Sequence, residues 1–148
     1  MQLSEKGEDF LCKLEAFSPV PYLDSGVAPT IGYGHLILLG QTWDEPLTKD
    51  EGRWILLGDA AYAEYSINHL VLSLLTQYQY DALLCLVFNI GTRAFANSTI
   101  LRLLNQKKFD LAAKQFDVWI YDNGKRVQGL ANRRAREKAL FKSGLYET

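Results

Sequence analysis

The chain has 148 residues, 48% of them apolar and 22% charged, with a net charge of −1, which suits a soluble globular protein and excludes disordered or low-complexity classes. A chain this long buries about 68–70% of its unfolded surface and needs no disulfide staple, and two cysteines, Cys12 and Cys85, are too few for a disulfide framework and read as buried free thiols. Charge-free stretches such as Tyr65 to Tyr80 are broken by Ser, Asn, His and Gln, so no membrane span is expected. No Cys/His cluster has metal-ligand spacing. No cofactor is implied.

The charge is unevenly distributed. Met1 to Glu64 holds 4 Lys/Arg against 11 Asp/Glu, and Tyr65 to Thr148 holds 12 against 6. Such polarity suits a basic end presented to an anionic surface, and equally suits two solvated faces of opposite sign.

Ser4 is placed to cap a first helix with Glu5 and Glu8 at its positive end, Phe10, Leu11 and Leu14 forming its apolar stripe. That helix should end near Ala16, ahead of Pro19 and Pro21. From Tyr22 to Leu39, turn signals at Ser25-Gly26 and Gly32-Tyr33-Gly34 punctuate short strands, giving a small β-containing lobe over about 17–50. Thr48 with Glu51 forms a capping box. The helix that follows, with Trp54, Ile55, Ala61, Tyr62 and Tyr65 at helical spacing, runs to about Leu72 and is long enough to bridge two lobes. The aromatic residues Trp54, Tyr62, Tyr65 and Trp119 are assigned to the core.

Thr76 with Gln79 repeats the box ahead of Tyr80 to Phe88, apolar almost all round, which belongs at the centre of a helical lobe spanning about 73–148 together with the N-terminal helix. Gly91 is a helix stop and Asn97-Ser98 a new start. Phe109 to Trp119 is helical by pattern, Asn123-Gly124 marks a tight turn, and Leu130 to Phe141, with Gly144 behind it, makes the last long helix. Neither repeats nor a flexible linker are seen. The fold expected is α+β, mainly α, as a single domain.

Glu15, Asp24 and Thr30 cannot share one element, so a chain reversal must bring them together. Two carboxylates in different surroundings beside a hydroxyl suit glycosidic hydrolysis, one acid protonating the leaving oxygen and one base activating water. Spacing alone makes this a weak signal. The words around the three residues strengthen it: Tyr22-Leu23-Asp24, then Pro29-Thr30-Ile31-Gly32-Tyr33-Gly34-His35, then Phe88-Asn89-Ile90-Gly91, Phe95-Ala96-Asn97-Ser98, Trp119 and Gly129-Leu130-Ala131-Asn132-Arg133-Arg134. In this order they resemble the phage-type lysozymes of glycoside hydrolase family 24 over nearly the whole chain. Ala16 departs from the glycine that many members carry there.

The resemblance implies a lysozyme-like fold and a muramidase that cuts the β-1,4 bond between N-acetylmuramic acid and N-acetylglucosamine in peptidoglycan. Glu15 would be the general acid, and Asp24 and Thr30 would hold the attacking water. Inversion is favoured, for which carboxyls about 6.5–9.5 Å apart leave room for water. Arg133 would orient Glu15, while Asn89, Phe95 and Asn97 would line the sugar cleft. His35 is read as a structural histidine paired with a carboxylate, and His69 as a surface or interlobe residue. The alternatives are a lytic transglycosylase, against which Asp24 argues, and an inactive wall-binding module that keeps the fold.

A short basic helix carrying Arg134, Arg136, Lys138 and Lys142 is weak support for nucleic-acid binding, and no nucleic acid is expected as partner. The N-terminus lacks a secretory signal. The expectation is a monomer made in the host cytoplasm that acts at the wall in the periplasm, released by a holin or a secretion route.

Overall fold

The computed structural model describes residues 1–24 and 27–147. Helix α1 spans Glu5–Glu15, with Ser4 accepting the Gly7 amide at its start. It is followed by an antiparallel sheet of three strands in sequence order, β1 Ser18–Asp24, β2 Ala28–Gly32 and β3 His35–Leu36. Strand β1 begins earlier than expected because it absorbs the two prolines: it lies at the sheet edge, where a missing N–H costs no ladder bond. Pairing is irregular between Ser18 and Tyr22, then runs in register as Tyr22 with Thr30, Leu23 with Pro29 and Asp24 with Ala28. The turn expected at Ser25-Gly26 lies outside the described residues.

Helix α2, Lys49–Leu70, carries the complete Thr48–Glu51 capping box and, at 22 residues, extends roughly 33 Å from the sheet toward the helices. The sheet is seated on it at two places. Phe17 and Tyr33 pack with ring centroids 5.0 Å apart and planes tilted by 44° over Gly52, where an added Cβ would come within 2.8 Å of the Phe17 ring. Further along, His35 Nδ1 lies 2.8 Å from Asp59 of α2 and Nε2 lies 3.0 Å from Gln41 Oε1. His35 thus pairs with a carboxylate, as read from the sequence.

The stripe expected on α2 is displaced. Trp54, Tyr62 and Tyr65 are 80%, 75% and 66% exposed, and the buried face consists of Gly52, Leu56, Ala60, Ala63, Ser66 and Ile67. Small residues let α2 approach its neighbours closely, which turns the aromatic rings outward. His69 lies on this outer side, stacked on Tyr65 at 3.8 Å.

Helix α3, Gln77–Ile90, starts in the Thr76–Gln79 capping box and buries every residue from Tyr80 to Val87. It is the axis of the helical part. Around it lie α4 Thr92–Ala96, α5 Thr99–Asn105, α6 Phe109–Lys114 with a 3-10 turn at Gln115–Val118, and α7 Gln128–Ser143. Helix α4 was not expected between Gly91 and Ser98. The Asn123-Gly124 turn closes a hairpin of β4, Tyr121–Asp122, and β5, Lys125–Arg126; both turn residues have positive φ, 49° and 76°, as a type I′ turn requires. Cys12 and Cys85 are buried free thiols.

Both chain ends are tied to α3 through Asp81. Its buried carboxylate accepts the Ser4 amide at 3.1 Å, the Gln77 side chain at 2.9 Å, the Tyr146 hydroxyl at 2.6 Å and the Ser4 hydroxyl. A carboxylate can be buried at such cost because its lone pairs are all engaged. Among the described residues no helix is long and apolar enough to cross a membrane.

Candidate active site

Glu15 is the last residue of α1, and the chain leaves it through Ala16 at φ 54°, ψ 163°. That reversal turns the next segment away toward the sheet and leaves the Glu15 side chain at the junction. Its Oε1 lies 2.6 Å from Arg133 Nη1, with both side chains largely buried. Its Oε2 faces Gly34, where an added Cβ would stand 3.0 Å away. Glycine at 34, with φ 76°, is what allows the backbone of the sheet to pass this close. The carboxylate therefore spans from the helical part to the β-lobe.

Thr30 is buried in β2, and its hydroxyl donates to the Ala28 carbonyl at 3.0 Å. The hydroxyl oxygen retains accepting capacity. Asp24 ends β1, is exposed, and lines a cleft of about 720 Å³ that also takes in Asn89, Trp119, Tyr121 and Leu130. Tyr22, paired with Thr30 across the hairpin, is pushed up in pKa by burial and then by the charges of Asp24 and Glu15. The hairpin register sets Thr30 opposite Tyr22 and Asp24 opposite Ala28, so Asp24 and Thr30 share one end of the β1–β2 pair.

Asn89 stands at the cleft, its Oδ1 accepting from Arg134 Nη2. Two other expected cleft residues differ in exposure, Phe95 being buried and Asn97 exposed. Phe95 is wholly buried in the helical core and has no surface to offer a sugar, because α4 packs its ring inward. Asn97 caps α4, donating to the Arg93 carbonyl at 3.0 Å. Trp119 is half-buried, packing on the core with one side and lining the cleft with the other.

Beneath Glu15 is a charged cluster that sequence reasoning missed. Arg133 Nε donates to Glu137 Oε1 at 2.9 Å and Nη2 to the Cys85 carbonyl at 3.1 Å. Arg134 Nη1 lies 3.2 Å from Glu137 Oε2. Arg134 and Glu137 are completely buried. The signal was present: Glu137 sits four positions after Arg133 and in the row that continues into the buried Leu140 and Phe141, a charge on an apolar stripe.

Arg133 remains charged. Burial pulls its pKa down, but Glu15 and Glu137 outweigh it and the net shift is upward. For Arg134 burial wins and the shift is downward, while burial raises Glu137 against the two arginines.

A buried helix-end carboxylate set against the glycine turn of a β-hairpin, in a mainly helical protein with a small sheet, is the arrangement of a glycoside hydrolase of the lysozyme type, and the comparisons with known proteins define that class. Residues 12–137 match the phage lysozyme family, "Phage lysozyme". The chain is 41% identical to the endolysin of Salmonella phage P22 over 97% of its own length and 99% of that protein, and 37% identical, with the same coverage, to the endolysin of Acyrthosiphon pisum secondary endosymbiont phage 1. The solved endolysin from Escherichia coli O157:H7 phage FAHEc1 superposes with a TM-score of 0.91 at 30% identity, covering 100% of this chain and 98% of that one. The chain belongs to the phage lysozyme family. It is a peptidoglycan-hydrolysing muramidase of cell lysis.

Proposed function

We propose that the chain hydrolyses the β-1,4 bond between N-acetylmuramic acid and N-acetylglucosamine with inversion, through Glu15 as acid and Asp24 with Thr30 as the water-holding pair. The observation that carries this reading is the position of Glu15, one oxygen paired to Arg133 and the other turned to the β-lobe at Gly34. The Glu15 proton passes to the bridging oxygen as the bond to the anomeric carbon breaks. Water held by Asp24 and Thr30 adds to that carbon from the opposite face, and its proton goes to Asp24. Exchange with solvent restores both carboxyls.

Arg133 orients Glu15 and stabilises the carboxylate left when the proton departs. Asn89 offers its amide to the N-acetyl and hydroxyl groups of the sugar. Residues 1–148 act as one monomeric domain, made in the bacterial cytoplasm and reaching the periplasmic wall by a holin or a secretion route.

Proton NMR of the first fragments released from purified wall tests the mechanism. A reducing muramic end in the α configuration is expected. A β product would replace inversion by retention, and an anhydro-muramic end would make the enzyme a lytic transglycosylase. Binding to sacculi with no fragments released would indicate a wall-binding module.

A further inference from the structure

We infer that Glu137 is a positioning residue that shares Arg133 with Glu15 and thereby sets how firmly the catalytic carboxyl is gripped, while its second oxygen holds Arg134 against the cleft residue Asn89. The inference rests on the reading of Glu15 as the acid. Five side chains form one chain of contacts: Glu15 to Arg133 at 2.6 Å, Arg133 to Glu137 at 2.9 Å, Glu137 to Arg134 at 3.2 Å, and Arg134 to Asn89. It runs from the proton donor to the surface of the cleft, and its middle member, Glu137, is wholly buried.

The geometry answers a chemical difficulty. An arginine beside a general acid favours the ionised form of that acid, yet the acid must meet its substrate protonated. If Glu15 were the only anion near Arg133, protonating it would leave a buried guanidinium unbalanced, which is strongly unfavourable. Glu137 supplies the second anion. With Glu15 protonated, Arg133 stays paired through Nε; once the proton has moved to the leaving oxygen, Nη1 lies against the new carboxylate. The same carboxylate also balances Arg134, so the guanidinium that positions Asn89 is fixed by the group that positions Arg133.

The charged and titratable groups around this cluster come from four elements. Arg133 and Arg134 face Glu137 from α7, the Cys85 thiol from α3 and Glu15 from α1. On β1 the titratable groups are Asp24 and Tyr22, the latter raised by burial first and then by the charges of Asp24 and Glu15. The only positive partners among these are the two arginines. Glu137 is accordingly the group whose loss changes the division of Arg133.

Glu137→Gln keeps the shape and removes the charge. Arg133 is then left to Glu15 alone, the ionised form of Glu15 is favoured, and the basic limb of the kcat/KM profile moves to lower pH by about one unit. At neutral pH kcat falls while KM is little changed. A folded variant whose profile superimposes on that of the unaltered enzyme would overturn the inference, since a purely structural carboxylate would not move the limb.

Should Glu137→Gln fail to fold, carbon-13 NMR of the Glu137 carboxyl in the unaltered enzyme and in Glu15→Gln gives the reciprocal reading. Losing the competing charge of Glu15 gives Glu137 a larger share of Arg133, so its carboxyl titrates at lower pH in Glu15→Gln. An unmoved titration overturns the inference. This readout needs no turnover and so is separable from the acid assignment, which lysis by Glu15→Gln would itself overturn.

Discussion

Arg133 Nη1 lies 2.6 Å from Glu15 Oε1, so the side chain at the end of the first helix is held by one from the last. Because both are largely buried, the pairing is not a solvated surface ion pair of small worth. It fixes the direction in which the carboxyl presents its free oxygen, and the behaviour of variants follows from that direction.

Glu15→Gln keeps the size of the side chain and a hydrogen-bonding oxygen for Arg133 but has no proton to give. Turbidity clearing of wall suspensions should fall by at least about 10²–10⁴-fold, the usual share of general acid catalysis, with the circular dichroism spectrum unchanged. Near-normal clearing by the folded variant would remove Glu15 from the chemistry.

Thr30→Ala removes a hydroxyl that donates to the Ala28 carbonyl at 3.0 Å and, on the reading above, helps to hold water. A partial loss of roughly tenfold in kcat is expected, since water positioning is one contribution among several, together with about 1 kcal/mol of stability for the lost hydrogen bond. Thr30→Ser should restore most of the activity. Full activity in Thr30→Ala would make Thr30 a strand residue only.

Ala16 occupies φ 54°, ψ 163°, a region almost reserved to glycine that costs other residues about 1–3 kcal/mol. Ala16→Gly relieves this strain and loosens the unfolded chain by about 0.4–1 kcal/mol. The balance is a gain of about 1 kcal/mol, seen as a higher urea midpoint with an unchanged slope. A lower midpoint would mean that the alanine is unstrained there.

Tyr146 donates to the buried Asp81 carboxylate at 2.6 Å, and its pKa is pushed up to about 12 by burial first and by that carboxylate second. A tyrosine in the unfolded chain ionises near 10. Between these values the folded state keeps a proton that the unfolded state has lost, so stability contributed by this group is complete below about pH 10 and declines as pH rises toward about 12. Urea titrations over this window should show a shallower alkaline decline in Tyr146→Phe than in the unaltered protein. Parallel curves would assign the decline to other groups.

Much of the fold is written locally. Ser4, Thr48, Thr76 and Ser98 all cap helices where their sequence contexts place them, because a cap is a bond between residues three apart. The run from Tyr80 to Val87 is buried all round, as its composition requires, and Asn123-Gly124 turns the chain by its own backbone preference. The family words around Glu15, Asp24 and Thr30 were equally legible, being contiguous. Arg133 was legible only through such a word and not from its own charge.

The remainder depended on neighbours distant in the chain. Periodicity says that a helix has an apolar face but not which partner covers it, so Trp54, Tyr62 and Tyr65 were assigned inward although small residues of α2 make the contacts. Phe95 was drawn to the cleft by its motif, yet the packing of α4 takes its ring into the core. Pro19 and Pro21 were read as breaks, and the edge position of β1 made them part of a strand. Glu137 drew no reading from the sequence, although it stands in the buried row of α7 with Leu140 and Phe141. The sequence by itself determined the caps, the central helix and the candidate catalytic trio, all set by near neighbours; the tertiary structure decided which charges are buried together, because only packing removes the water that would otherwise keep Glu137 and the two arginines apart.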